Sequence, residues 1–207
     1  MMADKRKRTE IGSEFWEVPT QKRENGIFSN NTEWFISGRF ALSAIIKDIC
    51  KKKTVHTAYL PAWCCDSMIS PFVEQGLHVR FYPVYMENGI LKQDIEDGRP
   101  GEILYLMDYF GFQSQVDVSK GGAVVIRDVT HSIFSGFRCD ADYYFGSLRK
   151  WAGFYTAGFA CGISNESLPV DNRYIDLRRT AMLAKTAYIA GTSESKDYLD
   201  LFGEAEE

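Results

Sequence analysis

The sequence predicts an α/β fold, a three-layer sandwich with a mostly parallel central sheet and helices on both faces. Short apolar runs recur at residues 55–60, 78–84, 103–107, 123–127 and 143–146, each about a strand long. Helical patterns stand between the early runs, at 37–49 and 67–75, and strand–helix alternation is the mark of parallel pairing. Composition agrees: 207 residues that are 45% hydrophobic and 14% aromatic build one well-buried domain and the start of another.

Taken in order, the chain opens on a basic run at 5–8, read as a solvated terminus. Asn25-Gly26 and Asn30-Asn31 give a turn-rich approach to the first buried element. The stretch 34–49 then enters a helix at Ser37-Gly38. Leu42, Ile45, Ile46 and Ile49 share one face, and the lysines at 51–53 complement the helix C-terminus. Next come a strand at 55–60, a loop at 61–66, a helix at 67–75 ended by Gly76, and a strand at 78–84. The runs at 103–107 and 123–127 read as buried strands, the second entirely so. Beyond Gly162 the texture changes to a loop at 165–172 and helices at 173–190 and 196–207.

Several function classes are disfavoured at once. A net charge of -4 leaves no general nucleic-acid footprint. No apolar run approaches a membrane span, and the basic start has no apolar core of a signal peptide, so the expected location is cytoplasmic. The five cysteines are odd in number and lack zinc spacing, which suits free thiols in a reducing compartment and no metal site. Cys64-Cys65 is expected to serve as small buried packing residues. Neither a dinucleotide fingerprint nor a P-loop is present.

Ligands of parallel sheets bind beyond the carboxyl ends of the strands. That singles out Ser37, the 61–66 loop, Asp108-Tyr109, Asp128 to His131, and Ser147 to Lys150. Ser37-Gly38-Arg39 is a small-residue helix entry able to hold a phosphate with backbone N–H groups, dipole and cation. Asp128-Val129-Thr130-His131 delivers an acid and then an imidazole from a buried strand. Lys150 follows an aromatic strand in a Ser-x-x-Lys turn between Leu148 and Trp151. Partial desolvation is expected there, lowering an amine toward its nucleophilic form.

These three features, in this order, resemble the DegT/DnrJ/EryC1/StrS sugar aminotransferases, a family of fold-type I enzymes dependent on pyridoxal 5'-phosphate. The matching residues are Ser37-Gly38-Arg39-Phe40-Ala41-Leu42, Asp128-Val129-Thr130-His131, Lys150, and the Gly-rich continuation at 157–162. The resemblance runs from about Trp34 to Gly162. It implies an aspartate aminotransferase-like large domain at 31–190, preceded by an N-terminal arm at 1–30. Residues 191–207 would begin a helix leading to a C-terminal small domain that is absent.

The resemblance further implies that Lys150 forms the Schiff base with the cofactor and shuttles the proton. Asp128 would pair with the ring nitrogen, and His131 would lie near the ring or its phenolic oxygen. Ser37, Gly38 and Ser147 would contact the phosphate, with Arg39 paired to it or facing solvent. Trp63 is the candidate for stacking on the ring. The serine departs from the family pattern, since many members place it five residues before the lysine, where this chain has Phe145.

The implied activity is transfer of an amino group from an amino acid to a keto-sugar nucleotide or similar carbonyl, in nucleotide-sugar biosynthesis. The implied partner is a second copy, as a homodimer, with Asn172, Arg173 and Arg178 reaching toward it. The alternative is a truncated or non-catalytic binding module of the same fold without turnover.

Overall fold

The computed structural model describes residues 14–17, 28, 31–111, 119–135, 140–164 and 172–206. The basic run at 5–8, the Asn25-Gly26 turn, Cys139 and the loop residues 165–171 lie outside these. The chain divides into two compact units. The larger is drawn from Gly26–Ser147 and Gly158–Leu168, the smaller from Met1–Asn25, Leu148–Ala157 and Pro169–Glu207.

The larger unit is a mixed α/β domain around a mostly parallel sheet of seven strands. In chain order these are β1 (Thr32–Phe35), β2 (Thr57–Pro61), β3 (His78–Tyr82), β6 (Glu102–Met107), β7 (Val124–Asp128), β8 (Tyr143–Ser147) and β9 (Gly158–Cys161). β4 (Val84–Glu87) and β5 (Ile90–Gln93) form a separate hairpin. Across the sheet the order is β1-β9-β8-β7-β6-β2-β3. β3, β2, β6, β7 and β8 run parallel, whereas β9 is antiparallel to both β8 and β1. The central strands carry the apolar runs seen in the sequence because both of their faces are covered. Every residue of β7 is buried, including Arg127 and Asp128.

Helix α1 (Gly38–Lys52) begins where the small residues permit it. Ser37 is extended at the N-cap, and its Oγ accepts from Phe40 N at 3.4 Å. Leu42, Ile45, Ile46 and Ile49 are buried as the periodicity requires, each contributing about 1.5–3 kcal/mol of burial. Asp48, on the same buried side, is satisfied by Lys52 Nζ at 2.7 Å and by Tyr143 Oη at 2.8 Å, which fastens α1 to β8. Helix α2 (Asp66–Glu74) packs against α1 and β3. Among the described residues, the β6–β7 and β7–β8 connections hold no α-helix.

Two features differ from the sequence reading. The run at 78–84 is two strands, because Pro83 has no N–H to continue the ladder and the chain leaves the sheet there. Trp34 and Phe35 belong to the edge strand β1 and not to the helix approach. The β4–β5 hairpin turns on Asn88-Gly89, both at positive φ (51° and 76°), the conformation of a two-residue turn that matches strand twist.

The smaller unit contains α3 (Asn172–Ile189) and α4 (Tyr198–Glu206), packed through Ala181, Met182, Tyr198 and Phe202. Arg173 pairs with Glu204 at 2.7 Å across the two helices. Among the described residues, no helix is long and apolar enough to cross a membrane.

Candidate functional site

Parallel strands deliver their carboxyl ends to one edge of the sheet, and the polar residues of the larger unit gather there. Asp128, the last residue of β7, is 5% exposed. Its Oδ2 accepts from Tyr105 Oη at 2.7 Å and its Oδ1 from Thr130 N at 2.8 Å. Burial pushes the Asp128 carboxyl above the ordinary range, against the opposing pull of the Thr130 and Tyr105 donors and of nearby His131. Tyr105 is itself driven well up, by its own burial and by the adjacent carboxylate. The arrangement holds one carboxyl in a fixed orientation inside an apolar wall.

Thr130 joins this acid to the next strand, its Oγ1 accepting from Ser147 N at 3.2 Å. Ser147 ends β8 and is 8% exposed, and its Oγ has no hydrogen-bond partner among the described residues. The N-terminus of α1 lies beside it. A Cβ placed on Gly38 would stand 3.2 Å from Ser147 Cβ. Gly158, the register partner of Ser147, runs so close to the N-cap that a Cβ there would fall 2.0 Å from Ser37 O. Glycine is required at that crossing. No acidic residue occupies the first turn of α1, so the positive end of its dipole is not neutralised from within the helix. An unpartnered buried hydroxyl, a helix N-terminus and a close glycine approach make a place able to receive an anion.

The loop after β7 is braced separately. Arg127, buried within β7, donates from Nη1 to Asp108 Oδ1 at 2.7 Å, and from Nε and Nη2 to both oxygens of Asp140. Ser132 Oγ donates to Asp108 Oδ2 at 2.7 Å. His131 is held between the anchored Thr130 and Ser132. Its Nδ1 is buried without a partner among the described residues, and its ring lies nearly parallel to that of Phe110, 6.5 Å between centroids at 19°. Phe110 has a left-handed backbone (φ 55°) and is exposed. Such a conformation for a bulky residue persists only where its surroundings hold it.

The structure therefore brings Ser37, Gly38, Ser147, Asp128 and His131 to one region. Arg39 sits in the first turn of α1. Trp63 is exposed on the loop after β2, its main-chain carbonyl accepting from Tyr109 Oη and its ring 6.3 Å from that of Tyr109, edge-on. Lys150 ends a short 3-10 turn, Leu148–Lys150, and belongs to the smaller unit. The desolvation expected around it is absent: Lys150 and Trp151 are both exposed, because the chain has left the sheet by that point. Arg178 is buried against Glu14 of the same chain, where an outward-facing side chain was expected. Cys64 is half-buried and packs against the core as expected, whereas Cys65 is exposed at the N-cap of α2 and does not.

Tyr105, Arg127 and Asp140 are site elements that the sequence reading passed over, whereas Asp108 and Thr130 lie in stretches it singled out. A tyrosine inside an otherwise apolar buried strand, and an arginine inside the next, were the available signals, since both need buried partners.

No family model matches the sequence, and no curated protein does. Among solved structures the chain is similar to a Streptococcus pneumoniae protein named for sugar aminotransferase activity, at 14% identity and a TM-score of 0.49 over 72% of this chain and 44% of that one. It is similar to 3-amino-5-hydroxybenzoic acid synthase at 15% identity and 0.49, over 65% and 39%. It is also similar to N-succinyldiaminopimelate aminotransferase from Mycobacterium tuberculosis at 14% identity and 0.47, over 84% and 50%. The chain spans half or less of the length of each.

Proposed function

We propose that the chain is an aspartate aminotransferase-like protein that binds pyridoxal 5'-phosphate through Lys150 and transfers an amino group from an amino acid to a keto-sugar nucleotide or similar carbonyl. The observation that carries the reading is the run of polar groups from the α1 N-terminus through Ser147 and Thr130 to Asp128. It offers an anion cradle and a buried acid, spaced along one sheet edge, with a lysine three residues further on. The residues fit the group. The Ser147 hydroxyl and the N–H groups opening α1 would hold its phosphate, and Asp128 would keep a proton on its ring nitrogen.

When bound, the cofactor supplies an electron sink for charge developing on the carbon that carries the amino group. Tyr105 and Thr130 keep Asp128 oriented, so no reorganisation is needed as that charge develops. A positive ring nitrogen beside Asp128 would draw its carboxyl back toward the ionised form, opposing the upward push of burial. Phe110 and His131 present parallel rings at the same edge, a surface suited to a planar heterocycle. Lys150 Nζ is the amine for covalent attachment and for carrying a proton to and from the substrate carbon.

The reading includes a cytoplasmic setting and a homodimer. It is tested by incubating the purified chain with the cofactor. A visible absorbance band is expected in wild type and absent in Lys150→Ala, and a wild type that takes up no cofactor overturns the reading. The exposure of Lys150 favours a second reading, the same fold as a binding module without turnover. Glutamate separates the two: it shifts the band of a transaminating protein and leaves that of a binding module unchanged.

A further inference from the structure

The smaller unit buries two cations on one helix. Arg178 and Lys185 lie two turns apart on α3, about 10 Å along its axis, and each is 1% exposed. The Arg178 guanidinium sits over the Phe202 ring at 4.9 Å and the Lys185 ammonium over the Tyr198 ring at 5.8 Å, so α4 roofs both with aromatic faces. Removing two cations from water is expensive unless an anion answers them.

One residue far away in the chain meets both cations. Arg178 Nη2 donates to Glu14 Oε2 at 2.8 Å, and Lys185 Nζ donates to the main-chain carbonyl oxygen of the same Glu14. Arg178 holds the Glu14 carboxyl below its usual range against the opposing effect of burial, and Arg149 and Lys150 add to that field. Glu14 itself is only partly covered, its side chain 31% exposed. The rest of its segment is tied to the unit by exposed contacts: Glu17 N to Thr186 Oγ1 at 3.0 Å, and Tyr155 Oη to Glu17 Oε1 at 2.7 Å.

The two cations thus grip the two ends of one short skeleton. From the Glu14 side-chain carboxylate to its main-chain carbonyl carbon runs a chain of five carbons, the skeleton of a free five-carbon dicarboxylate. In such a molecule the second carboxylate takes the place of the peptide carbonyl and brings a full negative charge to the position of the Glu14 carbonyl oxygen that Lys185 bonds. We infer that Arg178 and Lys185 form a binding site for five-carbon dicarboxylates, held in this structure by Glu14 as an internal mimic that a free diacid displaces. The site stands on the smaller unit's own geometry and does not require the cofactor reading to be correct.

A free diacid gains a charge-assisted bond at Lys185, whereas Glu14 gains from being tethered at millimolar effective concentration. A segment that occupies the site nine-tenths of the time weakens the apparent affinity of a competitor about ten-fold. The test is calorimetric titration of the full chain, without cofactor and at constant ionic strength, with malonate, succinate, glutarate and adipate. Glutarate is expected to bind tightest, and Glu14→Gln to tighten glutarate about ten-fold. In wild type, glutarate should also speed hydrogen exchange at residues 14–17, an experiment that needs no variant. A flat length profile, less than about a two-fold change in Glu14→Gln, or unaltered exchange at 14–17 overturns the inference. A wild type that shows no visible band with the cofactor leaves all three readouts intact, so the two proposals fail separately.

Discussion

Replacing Ser147 with alanine should move the empty and the loaded protein in opposite directions. The Ser147 hydroxyl is buried without a partner among the described residues, whereas its backbone N–H, bonded to Thr130 Oγ1, is untouched by the change. A buried hydroxyl with no partner costs about 1–3 kcal/mol. Its removal should therefore raise the stability of the cofactor-free protein by about 1 kcal/mol, or about 2–4 °C in Tm for a chain of this length. On the proposed reading the same hydroxyl would bond a phosphate oxygen in the loaded protein, and a hydrogen bond to a charged group contributes about 1.5–3 kcal/mol. Affinity for pyridoxal phosphate should fall by about 10- to 100-fold. Urea unfolding of the apo-protein and a fluorescence titration with the cofactor read the two effects. Apo-protein destabilised by about 1 kcal/mol or more would mean that the hydroxyl already has a partner and is not open to an anion.

Two further outcomes follow from the same edge of the sheet. Because burial raises Asp128, the folded chain binds its proton more tightly than the unfolded chain does, and stability is lost as pH climbs from the ordinary aspartate range through the raised value. Asp128→Asn cannot ionise, so in the apo-protein its Tm should gain on wild type as pH rises from the ordinary aspartate range through the raised value; parallel Tm curves would count against the assigned burial. Gly158→Ala would drive a methyl group to 2.0 Å from Ser37 O and 2.8 Å from Gly38 N, both backbone atoms. Overpacking of this kind costs about 1–3 kcal/mol, so a lowered Tm together with loss of phosphate affinity is expected. An unchanged Tm would show that the strand and the cap do not approach as described.

Helix α1 and strands β6 to β8 were legible because periodicity and long apolar runs report burial, and these elements are buried for most of their length. The edge strand β1 was not, since four residues with two exposed positions carry no periodic signal. Pro83 was visible as a residue without a donor, yet the run on either side is equally apolar, and only the missing ladder bond divides it. The hairpin turn at Asn88-Gly89 was legible in kind and was passed over, because the apolar signal of β4 and β5 is weak on an exposed pair. In the site, Ser37, Asp128 and Ser147 could be named from strand and helix ends. Their connectors could not, because Thr130 reaches Ser147 and Tyr105 reaches Asp128 across strands, and pairing of that range depends on sheet order. Lys150 shows the limit most plainly. Leu148 and Trp151 suggested a sheltered amine, but neighbours in sequence shield a side chain only where the chain folds back over them.

The segment that carries Lys150 leaves the sheet at Ser147 and returns at Gly158, and those two residues face each other as paired strand positions. Leu148 N donates to Ala157 O at 2.9 Å, closing the base of the excursion. Such a segment behaves as a cassette. Residues added or removed within it leave the register of β8 and β9 in place, and doubling its length costs only about 0.6 kcal/mol in closure entropy. The ladder that holds Asp128 thus does not depend on the length of the piece of chain that carries Lys150, whose own ties are to the smaller unit through Arg149 and Tyr155. Grafting a different excursion between Ser147 and Gly158 is the natural way to alter the chemistry of this sheet without rebuilding it.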